Sequence, residues 1–422
     1  MTIAALEALS FGLGRTARAA RAAGHRFVLL TGDRSVYRHE LATASGADVI
    51  DEIDVIDVID VDTFDPDAVR RALARLPDLA GLINTTDTWS VPAADLAQEL
   101  GLPGPDPEAV KLLRDKARVR QTLYRAGLSA GTAVVVEPAV ESAELVTGGV
   151  GLPAVLKVSA GTSSRDVWIV HDEEELRAAL GEAERREQGL NGRLFAEPFL
   201  AGPLYSAETL SWRGHTRLLG VLSRQTSRRP AVREEAAAFP VALPAGELAA
   251  IERWVGDVLA AAGHEQGFAH VEFVHTRRGP ELVEINRRIG GALVAEAMCR
   301  TLDVNVYEAL VDVTLGRRPR LLDAPPRATG PAVAFVLVYA DEPGVLAGWA
   351  GLDGLNAFPG DVSWYPVRAP GDAVPHVGDQ RGCTGMVLAE AATAELAQHR
   401  AWSAATTVRP VMKPAGAGGG RG

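Results

Sequence analysis

The chain is expected to be α/β and to divide into more than one domain, and three observations carry that expectation. Residues 2–30 run strand, glycine turn, helix, strand. Residues 267–298 read as two short strands joined by a turn, followed by a glycine pair and a helix. Two clusters rich in proline, Gly101-Leu102-Pro103-Gly104-Pro105-Asp106-Pro107 and the Arg-rich 317–331, punctuate the chain as boundaries do. At 422 residues the polypeptide can bury two or three cores.

Composition narrows the function classes. Hydrophobic residues make up 47% and charged residues 23%, ordinary for a globular protein. The 43 basic residues face 54 acidic ones, a net charge of -11 that argues against a general nucleic-acid binder but leaves room for a local phosphate pocket. Cys299 and Cys383 permit one disulfide at most and read as small buried apolar side chains. Neither a secretory leader pattern nor a run of 18 apolar residues occurs, so a cytoplasmic protein with no membrane partner is expected.

In order, Thr2 to Leu9 is a strand, a helix spans about Arg15 to Ala23, and Phe27 to Leu30 is a second strand. The intervening Gly12-Leu13-Gly14 admits a dinucleotide site. The third position of that fingerprint is Ala17, however, so a Rossmann-like turn without a nucleotide is favoured. The period-three aspartates within Asp48 to Asp62 lack the glycine and closing glutamate of a calcium loop, and read as strand and edge. A helix over Asp67 to Leu76, a strand over Leu79 to Ile83 ending at Asn84-Thr85-Thr86-Asp87, and a helix over Val91 to Leu100 complete a first domain near residue 105.

A helix then starts at Asp106-Pro107-Glu108 and carries Lys111, Arg114, Lys116, Arg118 and Arg120. Val134 to Val136 and Pro153 to Val158 are strands. Lys157, inside the second, needs a nearby anion to stay charged without large cost, and the small residues Ser159-Ala160-Gly161-Thr162-Ser163-Ser164 after it can aim backbone N–H groups at phosphate oxygens. Asp172 with Glu175 is a capping box and needs no further role. Leu194 to Leu200 and Leu218 to Ser223 are strands, the latter leading into a basic stretch with Arg224, Arg228, Arg229 and Arg233. Glu247 to Ala262 is an amphipathic helix. Leu302 to Leu315 is helical. Strands over Val333 to Tyr339 and Val362 to Pro366, with a helix near Thr393, form a last domain, and a Gly-rich tail follows.

The densest chemistry lies in Gly267 to Met298. Glu272 sits on one strand, Glu284 on the next, and Asn286 and Arg288 follow at alternate positions, so that they can share a face. Two carboxylates and an amide oxygen are hard ligands of the kind Mg²⁺ takes, and an arginine beside them suits a transferring phosphoryl group. A charged, solvated hairpin is the plainer alternative. Against it, both acidic positions sit inside apolar runs, HVEFV and ELVEI, where an unpaired carboxylate is costly.

Glu284-x-Asn286-x-Arg288-x-Gly290-Gly291, preceded by Val271-Glu272-Phe273, resembles the metal-binding core of the ATP-grasp ligases. The resemblance spans roughly residues 1–410 and is to carboxylate–amine ligases of the L-amino-acid-ligase type. It implies a Rossmann-like N-terminal domain (1–105) and a two-part ATP-grasp domain (106–320, with a small lid of about 130–200 and a larger part of about 201–320). A small C-terminal α+β domain (321–412) and a disordered tail (413–422) complete the implied layout. ATP and Mg²⁺ are the implied cofactors, with Mn²⁺ as a substitute. Glu272, Glu284 and Asn286 would hold the metal.

Lys116, in Asp115-Lys116 ahead of Ala126-Gly127-Leu128, would contact the phosphates, as would Lys157 with Ser159, Gly161, Thr162 and Ser163 of a phosphate-covering loop. Glu197, Pro198, Phe199 and Leu200 match the hinge whose backbone faces adenine. Arg288 and Lys157 would act on the transferring group. Arg224, Glu235, Gly290 and Gly291 would lie toward the acyl substrate. The family's usual glutamate after the Gly202-Pro203 pair is replaced by Leu204, which leaves its ribose contact without an assigned residue.

The implied reaction joins a small carboxylate, an amino acid by preference, to an amine through an acylphosphate, with release of ADP and phosphate. A purine-pathway or carboxylase-like enzyme, or a nucleotide-binding module without catalysis, are the competing readings. Dimers are common in the family, so a homodimer is compatible with the resemblance.

Overall fold

The computed structural model describes residues 1–44, 56–161, 165–186, 189–190, 192–227, 233–324 and 327–414. Of the expectations above, most of the aspartate repeat, Thr162, Ser163 and Ser164, Arg228 and Arg229, and nearly all of the tail lie outside these residues. Two compact units account for the chain. The first holds 1–220, 243–295 and 305–326, and the second holds 221–242, 296–304 and 327–422.

The first unit opens with β1 (Thr2–Leu6), α1 (Leu13–Ala22), β2 (Arg26–Thr31), α2 (Arg38–Ala44), β3 (Asp57–Asp60), α3 (Pro66–Leu73), β4 (Leu79–Ile83) and α4 (Ser90–Glu99). The strands form a parallel sheet in the order β3-β2-β1-β4, and the strand path reverses direction at β1/β4. Continuous apolar stretches such as Phe27-Val28-Leu29-Leu30 suit strands covered on both faces, and Val28 and Leu30 are fully buried with Leu73 and Leu96. The glycine turn after β1 is filled by protein. Gly12 has φ +97°, and a Cβ there would lie 1.7 Å from the Tyr307 hydroxyl. That agrees with the expected turn without a nucleotide.

α5 (Pro107–Arg114) and α6 (Lys116–Arg125) follow. The single basic helix expected from the sequence is two, because Asp115 is extended (φ −98°, ψ 92°) and its carboxylate accepts from the Arg118 N–H, capping α6. Next come β5 (Val134–Val135), α7 (Ala143–Gly149), β6 (Ala154–Val158), β7 (Val167–Val170), α8 (Glu173–Arg185) and β8 (Leu194–Pro198). These strands pair antiparallel in the order β5-β8-β6-β7 and share a core with α7 and α8 through Val146, Leu156, Leu176 and Leu180. Asp172 caps α8 as expected, accepting from Glu175 N–H at 2.9 Å, while Glu175 accepts from the His171 N–H at 2.8 Å.

β9 (Leu204–Trp212), β10 (His215–Thr226), β11 (Glu234–Phe239), α9 (Ala245–Ala261), β12 (Gly267–Thr276), β13 (Gly279–Asn286), α10 (Val294–Leu302) and α11 (Val306–Thr314) continue the chain. In the first unit β13, β12, β9 and the early half of β10 are sheet neighbours. The helix expected over Leu302 to Leu315 starts later, at Val306, and Leu302 ends the helix before it. Asp303 takes a left-handed conformation (φ 52°), and Asn305 starts α11 afresh by accepting from the Tyr307 N–H at 3.2 Å.

The second unit pairs the late half of β10 with β11, and β11 with β14 (Ala332–Tyr339). β15 (Gly344–Ala350), β16 (Ser363–Pro366), β17 (Ala373–Val374), β18 (Cys383–Ala391), α12 (Ala394–Ala405) and β19 (Arg409–Lys413) complete it. β14 pairs with β18 and β18 with β16, while β17-β15-β19 form a separate small sheet. The alanine face of α12, Ala397, Ala401 and Ala404, packs on β14 and β18. Among the described residues no helix is long and apolar enough to cross a membrane.

Candidate active site

Register on β9, β12 and β13 builds the site. Glu272 pairs with Glu284 on one side and with Ser206 on the other, and His270 pairs with Asn286 and with Glu208. Cross-strand partners point the same way, and residues two apart share a face. One face therefore carries two polar rows, Ser206–Glu272–Glu284 and Glu208–His270–Asn286. The alternate residues Ala207, Val271 and Ile285 are buried on the opposite face. Apolar neighbours thus pin these carboxylates to one side.

The polar face is hydrogen-bonded throughout. Asn286 Nδ2 donates to Glu284 Oε1 at 2.8 Å, which leaves the amide oxygen as that side chain's acceptor. Lys116 Nζ lies 3.2 Å from Glu284 Oε2 and donates to the Gly161 carbonyl at 2.6 Å. Burial by itself would raise the Glu284 pKa; the Lys116 charge, the Asn286 hydrogen bond and Lys157 outweigh it and hold the carboxyl well below its usual range. His270 stands between two carboxylates, with Nδ1 2.7 Å from Glu208 Oε1 and Nε2 3.3 Å from Glu272 Oε1. Ser206 Oγ donates to the same Glu208 oxygen at 2.8 Å.

The start of α6 and the small-residue loop are tied together. Lys116 N–H donates to the Ser159 carbonyl at 3.0 Å, and Arg114 donates to the Ala160 carbonyl at 3.3 Å. Ser159 Oγ accepts from the Arg193 N–H at 3.1 Å. The expected phosphate-loop residues Ser159 and Gly161 are thus brought to Lys116 and, through it, to Glu284.

Lys157 is placed differently. Its ammonium is 2.6 Å from Glu197 Oε1 and donates to the Val283 carbonyl at 3.2 Å. Arg120 holds the other Glu197 oxygen at 3.0 Å and also reaches Ser129 and the Leu282 carbonyl. Burial would raise the Glu197 pKa, but the Arg120 and Lys157 charges bring it below the ordinary value. The Glu197 side chain faces protein, which leaves only the main chain of Glu197 to Leu200 for the contact expected of this segment. Phe199 N–H, at that hinge, donates to the Pro153 carbonyl at 3.1 Å. Pro198 closes on Gly131, where a Cβ would sit 2.5 Å from its ring. Pro198, Phe199, Leu200 and Leu204 are all half-buried.

Arg288 lies just past the end of β13 and clamps Asp87, with Nε at 2.9 Å and Nη2 at 2.5 Å from Asp87 Oδ2. Burial lowers the Arg288 pKa and raises that of Asp87, and their mutual attraction reverses both. Asp87 belongs to the turn after β4, which Asn84 fastens by donating to the Leu6 carbonyl and to Thr86 Oγ1, each at 2.9 Å.

The residues expected toward the acyl substrate fall in both units. Gly291 faces Arg288, where a Cβ would be 3.8 Å from Nη1, but the space beside Gly290 is filled by His270 and Val294. Close packing of protein, rather than room for a substrate, accounts for Gly290. Arg224 and Glu235 lie in the second unit and do not pair. Arg224 bonds Glu234 at 3.1 Å, and Glu235 bonds Arg233, whose guanidinium stacks 3.9 Å from the Tyr339 ring centroid.

Sequence reasoning missed His270, Glu208, Asp87 and Arg120. His270 was within reach, since a residue two before Glu272 on one strand shares its face. Asp87 was not, because 201 residues separate it from Arg288.

Among the described residues no group of three or more His, Cys, Asp or Glu side chains gathers as metal ligands. Glu272, Glu284 and the Asn286 amide oxygen nevertheless fit Mg²⁺, which takes one or two carboxylates and completes its shell with water and phosphate oxygens.

Comparison with known proteins agrees with this geometry. Residues 17–104 match the ATP-grasp N-terminal domain, 150–296 the ATP-grasp domain, and 336–413 the L-amino acid ligase C-terminal domain 2. The uncharacterized protein y4rH of Sinorhizobium fredii is 30% identical over 349 residues, which cover 78% of this chain and 68% of that one. Carnosine synthase 1 of Homo sapiens is 28% identical over 303 residues, 67% of this chain but only 36% of that enzyme's length. The fold of the L-amino acid ligase from Bacillus licheniformis superposes with a TM-score of 0.79 at 19% identity, covering 98% of each chain. The chain belongs to the ATP-grasp superfamily, with the domain make-up of an L-amino-acid-ligase-like, ADP-forming carboxylate–amine ligase.

Proposed function

We propose that the protein forms an amide bond between the carboxylate of an amino acid and an amine, by way of an acylphosphate. The observation that carries this reading is the juxtaposition of Glu272, Glu284 and Asn286 on one sheet face with the Lys116 ammonium. A metal-chelated triphosphate needs oxygen ligands and compensating cations at one place, and this face supplies both.

In the proposed reaction a carboxylate oxygen attacks the γ-phosphorus of ATP, the bond to the β-phosphate oxygen breaks, and ADP departs. The amine nitrogen then attacks the acyl carbon, the C–O bond to phosphate breaks, and the nitrogen loses a proton. A Mg²⁺ ion held by Glu272, Glu284 and Asn286 would neutralise polyphosphate charge; Mn²⁺ presents the same coordination demand for oxygen donors. Lys116 exchanges its contact with Glu284 for a phosphate oxygen. Lys157 reaches phosphate only in competition with Glu197, so its first duty is to hold the lid strand against β13. Arg288, kept charged and oriented by Asp87, stabilises the transferring phosphoryl group and the tetrahedral adduct. The N–H groups of Ser159 and Gly161 already donate to the Arg193 and Val158 carbonyls, so these two residues anchor the loop proposed to cover the phosphates, and the 197–200 main chain would meet the adenine.

The test is a coupled assay with ATP, Mg²⁺ and pools of amino acids, followed by mass identification of the product. ADP and phosphate released together, dependent on an amino acid, support the reading. Accumulation of AMP would replace the acylphosphate by an adenylate, and no pool raising turnover above background would sink the amino-acid ligase.

A further inference from the structure

Five cations around the active site each have a carboxylate within 4 Å: Lys116 has Glu284, Lys157 and Arg120 share Glu197, and Arg114 and Arg288 share Asp87. Arg287, immediately before Arg288, has none among the described residues. Among the described residues its guanidinium has one partner, the Gln266 carbonyl, at 3.4 Å. Its side chain is half-buried. The nearby His264 is no counter-ion either. Its imidazole is buried and pushed down to about 3, and Arg287's own charge adds to that shift. A half-buried guanidinium with no carboxylate beside it can take up an anion that enters from outside.

Arg287 lines a cavity of about 60 Å³. Its lining includes the polar Asn84, Thr85 and Gln266 and the aliphatic Ala94, Leu310 and Val313. On this measure the space holds several waters, hence a small organic acid. Its position is also informative. Leu82 and Ile83 are the carboxyl end of β4 and Asn84 and Thr85 follow it, and the strand order β3-β2-β1-β4 reverses at β1/β4. Open parallel sheets bind ligands at such a switch point, outside the carboxyl ends of the strands. The usual glycine turn there is closed by Tyr307, whereas the cavity under Arg287 is open.

We propose that this cavity is a binding site for a small aliphatic carboxylate, whose charged end pairs with Arg287 and whose alkyl end lies against Ala94, Leu310 and Val313. A single unpaired cation matches a monoanion better than a phosphate, because Arg288, the other guanidinium on the cavity wall, is already committed to Asp87. The ligand is either the carboxylate of an amino-acid substrate or a non-reacting acid. The site itself stands on the cavity and on Arg287, and only the substrate alternative rests on the ligase reading.

The experiment uses the full chain without nucleotide. Propionate should raise the melting temperature and give saturation-transfer NMR signals, while propionamide, its neutral isostere, should not. In Arg287→Met, propionate binding should weaken by about tenfold or more, with Arg287→Lys between the two. Mg²⁺–ATP binding, read in parallel, should be equal in all three proteins and reports separately on the ligase site. If propionate and propionamide behave alike on the wild type, the proposal is overturned even should the variants fail to fold. Unchanged propionate binding in Arg287→Met overturns it as well. Given binding, a raised KM for the amino-acid substrate in Arg287→Met assigns the site to substrate. Loss of propionate binding with kcat and KM intact assigns it to a non-reacting acid.

Discussion

Two lysine–glutamate pairs in the first unit look alike in sequence and differ in what they can do. Lys157 and Glu197 are 7% and 6% exposed at their side chains, and Arg120 closes the second carboxylate oxygen. Lys116 and Glu284 are 13% and 23% exposed, with Asn286 rather than a cation on the other oxygen. The first pair is sealed, so its charges are spent on the scaffold. The second is more exposed, and under the proposed function it trades its internal partner for phosphate or metal. Access to solvent, rather than residue type, separates a scaffold ion pair from a site.

That contrast can be broken from either end. At the open end, Glu284→Ala should lower turnover by about a hundredfold or more, in line with the loss of a group that supports transition-state charge. Its melting temperature should stay near that of the wild type. Retained turnover would place the metal elsewhere.

At the sealed end, Glu197→Gln should act on stability first, by roughly 3–5 kcal/mol in denaturant titration, because it strands Arg120 and Lys157 in the interior. The same pair predicts a pH dependence. The Glu197 carboxyl has its folded pKa below the ordinary 4.5. Its stabilisation is therefore present above about pH 4.5 and lost as pH falls through the folded value. Acid unfolding of Glu197→Gln should show a shallower loss over that window than the wild type; an identical profile would deny the pair its role.

Asp87→Asn tests the link to Arg288. The neutral amide still accepts one hydrogen bond but removes the charge, so kcat should fall roughly tenfold, about 1.4 kcal/mol, with the KM for ATP little changed. A change confined to the KM for ATP would mean that Asp87 does not act through Arg288. The smallest effect is expected at Leu204. Leu204→Glu would supply the family's usual carboxylate at the start of β9 and should lower the KM for ATP by only about threefold, since a partly exposed hydrogen bond contributes on the order of 1 kcal/mol or less. A higher KM would show that Leu204 is needed for its packing.

Much of this was legible before any coordinates. Alternation within HVEF and ELVEIN placed Glu272, Glu284 and Asn286 on one face, because strand geometry has a fixed period of two. Proline and glycine clusters marked where helices stop, and Asp172 with Glu175 predicted its own cap. The failures have physical causes of the same kind. Asp115 breaks a helix that the sequence reading ran straight through, and Asp303 delays the start of another, since a cap or a left-handed residue bounds a helix without altering its hydrophobic pattern. Gly290 was assigned to a substrate because a missing side chain does not say what occupies its place; here His270 does.

The sequence by itself determined the strand–turn–strand core, the carboxylates and the amide that it carries and the family, because these depend on local spacing. Only the tertiary structure decided which cation meets which carboxylate. Lys157 goes to Glu197, Lys116 to Glu284, Arg288 to Asp87 and Arg287 to none among the described residues. Those pairings join residues 40 to more than 200 positions apart, and a Coulomb interaction depends on distance in space and on burial, neither of which is written along the chain.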